Sequence, residues 1–151
     1  MAQKVELRDV IDADLPIFFA QQRDPEAARM AAFPPRDLPA FMAHWAKIRG
    51  DAKCVVQTIV GDGQVAGYVG SWLQAGDRLI GYWLGKAFWG QGVATRALAL
   101  FVARLPALPL FAHVARTNPA SIRVLEKCGF ALDRAYVGED GQPYRRYVHR
   151  A

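Results

Sequence analysis

The residues from Gly81 to Thr95 combine types that can do chemistry: Gly81-Tyr82-Trp83-Leu84 leads through Gly85 and Phe88-Trp89-Gly90-Gln91-Gly92 into Val93-Ala94-Thr95. An apolar, aromatic strand runs into a glycine-bearing turn, and the turn opens a helix. The first backbone N–H groups of a helix have no acceptor inside it, and the helix dipole adds about half a positive charge at that end. Small residues let a phosphate reach those amides. The chemistry on offer is anion binding by main chain.

Two familiar phosphate motifs do not fit. The dinucleotide fingerprint G-x-G-x-x-G needs a third glycine where this chain has Thr95, and no acidic residue follows about twenty positions on. A P-loop needs Lys after its glycines, whereas Lys86 precedes them. Alone, Gly90 and Gly92 do no more than turn the chain.

The elements that must position this turn alternate along the chain. Residues 3–8 read as a strand, followed by helices over 12–22, 25–32 and 37–49; Phe41, Trp45 and Ile48 give the last an apolar stripe. Two β-rich runs, 54–60 and 65–72, flank Gly61-Asp62-Gly63 and predict a hairpin, with 78–84 as a third strand beside it. Ala94, Ala97, Leu98, Phe101, Val102 and Leu105 draw one apolar face on the helix after the turn, and Pro106 stops it. Residues 108–114 then read as a strand, which makes a βαβ unit with the helix N-terminus at the ligand-binding edge of the sheet. Asn118 as N-cap, Pro119 at the first helical position and Gly129 past the end predict a helix over 118–128. Strands over 130–137 and 142–149 close the order.

Composition sets the outer bounds. With 151 residues, 52% of them hydrophobic, and no linker-like tract, the chain reads as one domain, residues 1–151, with its own core. Met1 to Leu7 alternates polar and apolar residues unlike a signal peptide, and no apolar stretch is long enough to cross a bilayer. Cys54 and Cys128 make no disulfide framework and lack metal-ligand spacing, so no metal is expected and a reducing cytoplasm is the expected location. The net charge of +5 suits a phosphorylated ligand or nucleic acid without choosing between them. Tyr144-Arg145-Arg146-Tyr147-Val148-His149-Arg150 interleaves aromatic and basic residues as some single-strand binders do, but its period of two favours a final strand. Nucleic acid is thereby the lesser reading.

The turn gains its meaning from the residues downstream of it. Trp89-x-x-Gly92-x-Ala94, then Asn118-x-x-Ser121, then Ser121-Ile122-Arg123-Val124-Leu125-Glu126-Lys127-Cys128-Gly129-Phe130 resembles the GNAT superfamily of N-acetyltransferases, closely over about residues 79–132. Within it, Gly81 to Leu84 and Phe88 to Thr95 are similar to the branch of ribosomal-protein N-terminal acetyltransferases. The resemblance implies a single-domain α/β fold: a mixed, mostly antiparallel twisted sheet with a central βαβ unit, splayed parallel strands and helices on both faces. It implies acetyl-CoA as cofactor and an amine acceptor as partner, with no membrane; assembly as a homodimer is left open. The main-chain amides of Gln91, Gly92, Val93, Ala94 and Thr95 would hold the pyrophosphate, and the backbone of Tyr82, Trp83 and Leu84 would pair with the pantetheine arm. Asn118 would reach the cofactor. Ser121 matches a position proposed to protonate the departing thiolate.

Direct attack needs a neutral amine and no covalent enzyme intermediate. An α-amine titrates near 8 and a lysine-like amine near 10.4, so a proton must leave. The branch often places Glu two residues before Gly81, where this chain has Leu79. That departure keeps a non-catalytic acyl-CoA-binding domain as an alternative. Substitute bases are Asp24, Glu26, His44 and His113. Each has a plainer role: Asp24 before Pro25 is a helix cap, His44 belongs to a polar helix side, and His113 in an apolar strand is a hydrogen-bonded core residue. Asn118 also serves as an N-cap. The N-terminal helices, with Arg23, Asp24, Glu26, Arg29, Met30 and Phe33, are expected to wall the acceptor pocket, and Trp72 is expected at that pocket or in the core.

Overall fold

The computed structural model describes residues 4–32, 34–106 and 109–150. Its elements follow the expected order: β1 (Val5–Asp9), a 3-10 turn (Asp12–Asp14), α1 (Leu15–Gln22), α2 (Pro25–Ala31), α3 (Leu38–Gly50), β2 (Val55–Gly61), β3 (Gln64–Gln74) and β4 (Asp77–Leu84). A second 3-10 turn (Lys86–Phe88) leads to α4 (Val93–Arg104), β5 (Leu110–Ala115), α5 (Pro119–Lys127), β6 (Ala131–Val137) and β7 (Pro143–His149). The one helix expected over 12–22 is divided. The Asp14 carboxylate turns back to accept from the Ile11 N–H at 3.0 Å, which tightens the first turn before α1 begins.

The strands form one seven-stranded sheet in the order β1-β2-β3-β4-β5-β7-β6. Every neighbouring pair is antiparallel except β4 and β5, whose parallel pairing covers only Arg78 with Leu110 and Leu79 with Phe111. Beyond those two pairs the strands part. From Ile80 onward β4 is held on its β3 side, where Gly67 lies beside Leu84. A Cβ on Gly67 would sit on the Trp83 carbonyl oxygen, so this approach of the two strands demands glycine.

Both hairpin turns in this half use left-handed backbone at two successive residues, Asp62-Gly63 and Ala75-Gly76, the pattern that matches strand twist. Side-chain alternation then gives the sheet two faces. Ile59, Val69, Ile80, Leu84, Leu110, Ala112, Val114 and Tyr147 pack with Val93, Ala97, Leu98 and Phe101 of α4 and Leu125 of α5. On the other face, Val56, Val65 and Tyr68 meet Leu15 and Phe18 of α1 and Phe41 and Trp45 of α3. Helices on both faces are therefore what the pleat requires.

The final basic and aromatic run is β7, inside the sheet between β5 and β6. Tyr147 is buried, and the Arg146 guanidinium lies 3.9 Å from the Phe111 ring centroid with Asp77 at 2.9 Å. Its place inside the sheet accounts for the period of two. Cys54 and Cys128 are both free thiols, and no cluster of metal-ligating side chains occurs among the described residues.

Candidate active site

The turn after β4 is shaped by its glycines and one indole. Gly90 and Gly92 have φ of 73° and 77°, and a Cβ at either would project into open space. Trp89 donates from Nε1 to the Leu84 carbonyl at 3.0 Å, folding the turn back on the end of β4. Gly92 is the N-cap of α4, and the first intrahelical bond runs from the Arg96 N–H to the Gly92 carbonyl at 3.2 Å. The amides of Val93, Ala94 and Thr95 precede that bond and face a groove of about 360 Å³.

Three elements wall this groove. β4 contributes Tyr82, Trp83 and Leu84, the turn and α4 contribute Gly90, Gly92, Val93, Ala94 and Thr95, and α5 contributes Asn118, Ala120, Ser121, Arg123, Val124 and Lys127. A roof comes from Ala27, Met30 and Ala31 of α2, tied down where the Thr117 hydroxyl donates to the Met30 carbonyl at 2.9 Å. Arg123 and Lys127 form no ion pair among the described residues, so their charge is available to an anion beside the α4 N-terminus.

Asn118 is a cap whose Oδ1 accepts from the Ser121 N–H at 3.2 Å, and its residue also lines the groove. The Ser121 Oγ accepts a hydrogen bond from the Tyr82 hydroxyl at 2.9 Å, a link between β4 and α5 that spacing did not reveal. Burial pushes the Tyr82 phenol up to about 12, although its bond to Ser121 acts in the other direction. The Trp83 Nε1 is buried and has no hydrogen-bond partner among the described residues.

Other expected residues lie elsewhere. Gln91 sits at the turn, but its side chain donates to the Ala87 carbonyl at 3.0 Å and does not line the groove. Asp24 is the cap of α2, accepting from the Ala27 N–H at 2.9 Å, and Glu26 pairs with Lys86 at 2.8 Å. Arg29 is exposed on α2, and Phe33 lies outside the described residues. His44 is half-buried on α3, and burial, with Arg36 and Lys47, lowers its pKa. Trp72 shares the face of Leu79, opposite Tyr82, and lies against Gly81, where an added Cβ would come within 3.1 Å of its ring.

His113 corrects the expectation of a core histidine. The neighbours Ala112 and Val114 take the buried positions of β5, and alternation turns His113 outward, where its Nδ1 lies 2.7 Å from the Tyr136 hydroxyl. Partial burial, with Arg146 and Arg134, lowers its pKa. It is not among the groove-lining residues.

Sequence reasoning missed Arg123, Val124 and Lys127, although with Ala120 they form a stripe at i, i+3, i+4 and i+7 on α5. That periodicity was the available signal. Ala27 and Ala31 belong to the same kind of stripe on α2, with Met30 between them.

An anion-ready helix terminus set against a parted parallel strand pair defines a class: α/β domains that bind a phosphorylated, extended ligand along an open strand edge. Comparison with known proteins identifies the particular family. Residues 4–131 match the model of the acetyltransferase (GNAT) domain, and the chain belongs to that family. It is an acetyl-CoA-dependent N-acetyltransferase. No curated protein sequence matches it.

Solved structures agree on the fold. Aminoglycoside acetyltransferase AAC(6')-Ib in complex with paromomycin and acetyl-CoA superposes with a TM-score of 0.82 at 17% identity, covering 98% of this chain and 94% of that one. Spermidine N-acetyltransferase from Vibrio cholerae, in complex with CoA and spermine, gives 0.81 at 16%, covering 95% and 94%. An acetyltransferase from Agrobacterium tumefaciens gives 0.76 at 21%, covering 100% and 93%.

Proposed function

We propose that the chain moves an acetyl group from acetyl-CoA to the primary amine of a peptide or protein N-terminus, or of a small molecule, by direct attack in a ternary complex. The observation that carries this reading is the meeting, in one groove, of the free α4 amides with the part of β4 that has left β5. The amides of Gln91 to Thr95 would receive the pyrophosphate, with Arg123 and Lys127 adding charge beside them. The backbone of Tyr82 to Leu84 would pair with the pantetheine arm and point an N–H at the thioester carbonyl. Such a preorganised donor is worth about 3 kcal/mol in other oxyanion holes. Ser121 would stand at the departing sulfur, and Asn118 would hold the helix end that presents it.

Among the described residues, the groove lining contains no carboxylate and no imidazole. The acceptor amine would then enter neutral and release its proton to water, which favours an α-amine near 8 over a lysine-like amine near 10.4. Charge supports the same choice. A polycationic acceptor needs uncommitted acidic groups, whereas Asp24 is a cap and Glu26 is paired with Lys86. An α-amine is also the acceptor implied by the ribosomal-protein branch that the motif resembles.

Titration calorimetry with acetyl-CoA, followed by thiol release over a panel of peptides and small amines, tests the proposal. Binding and release with α-amine peptides are expected. No heat at high micromolar acetyl-CoA would sink the cofactor assignment, and release only with polyamines would sink the preference for an α-amine.

A further inference from the structure

The hydrogen bond from Tyr82 to Ser121 spans 39 residues of sequence and joins β4 to α5 by two hydroxyls. With the phenol donating, one lone pair of the Ser121 Oγ is occupied, so the serine's own hydrogen must point elsewhere. No protein acceptor for it is found among the described residues, and Ser121 stands on the groove wall. Burial pushes the phenol up to about 12, so it keeps a proton to donate.

We propose that Tyr82 is a positioning residue: through its bond to Oγ it aims the Ser121 O–H into the groove as a hydrogen-bond donor to the thiolate that leaves in acetyl transfer. The inference rests on the function proposed above. In that transfer the amine nitrogen forms a bond to the carbonyl carbon, the C–S bond breaks, the electron pair leaves on sulfur, and the nitrogen's proton passes to water. A thiol titrates near 8.5, far below a serine hydroxyl, so Ser121 shares its proton with the sulfur and does not surrender it. A donor placed on Oγ also polarises the O–H and strengthens the bond it gives. Thiolate departure thus needs no acid from the protein.

Tyr82→Phe removes one oxygen and keeps the ring. It is expected to lower kcat about tenfold, the effect of one hydrogen bond lost beside a developing charge. The Kd for CoA should stay within about twofold, because the phosphate cradle is untouched. Ser121→Ala should lower kcat about a hundredfold, and adding Tyr82→Phe to it should change kcat by less than about twofold, since the tyrosine acts through the serine. An equilibrium readout stands beside the kinetics: the thiol of bound CoA, titrated by its ultraviolet thiolate absorbance, should rise by about one pH unit in Tyr82→Phe.

Additive effects in the double variant, an unchanged bound-thiol titration, or loss of CoA binding in Tyr82→Phe would each overturn the inference, the last by making the phenol structural. No transfer by the wild-type protein would remove the proposed function and this inference together. Wild-type transfer with full kcat in Tyr82→Phe would remove this inference alone.

Discussion

Two places where helix meets sheet treat their polar groups in opposite ways. Under α1, the Asp14 carboxylate accepts from both terminal nitrogens of Arg8 at 2.8 and 2.9 Å, from the Ile11 N–H and from the Thr58 hydroxyl at 2.7 Å. On the face of Thr58, the Phe18, Trp45 and Tyr68 rings pack with centroids 4.8–5.1 Å apart. Around the groove, the amides of Val93, Ala94 and Thr95 precede the first helical bond. One region spends its hydrogen bonds internally and holds the fold. The other leaves donors free, which lowers its own stability.

The contrast predicts that damage to the two regions separates stability from binding. The largest effect is expected for Asp14→Ala, about 3 kcal/mol of lost stability, because Arg8 and Thr58 lose a buried charge partner. CoA affinity should survive in the fraction that stays folded. Burial alone would raise the Asp14 carboxyl, but the bonds from Arg8, Ile11 and Thr58 hold it at about 2 against an ordinary 3.8. A depressed carboxyl stabilises above its unfolded pKa, so wild-type stability should fall as the pH drops from about 4 towards 2. Urea melts across that window should show a flatter dependence in Asp14→Ala.

Gly92→Val attacks the other region. Its left-handed φ disfavours a branched residue and would force the turn that opens α4 to rearrange. CoA affinity by calorimetry should fall about a hundredfold, the loss of two charge-assisted bonds. Arg123→Ala should weaken CoA binding about tenfold and flatten its salt dependence, since it removes one screened charge from the groove. The smallest effect is expected for His113→Ala. With His113 off the groove lining, its pH–rate profile should match the wild type and track the acceptor amine; a lost limb would make His113 the base.

How much could be read beforehand differs between these regions too. The caps Asp24 and Asn118, the glycine turn that opens α4, the hairpin turn at Asp62-Gly63 and the apolar stripe of α4 are local features, and their elements end within two residues of expectation. The 3-10 turn at Asp12–Asp14 was not legible, because Asp14 is drawn inward by Arg8 and Thr58 from other strands. His113 looked buried because its strand is apolar. Only the register of β5 against β7, which sets it opposite Arg146, turned it outward.

The sequence by itself determined the glycine turn before α4 and the helix ends, because glycine conformations, free amides and caps depend on residues a few positions apart. Tertiary structure decided where β4 leaves β5, which face Trp72 and His113 take, and that the Tyr82 hydroxyl meets Ser121. Those facts depend on strand register and on helix docking across the sheet, and a single residue of slip would turn every such side chain to the opposite face.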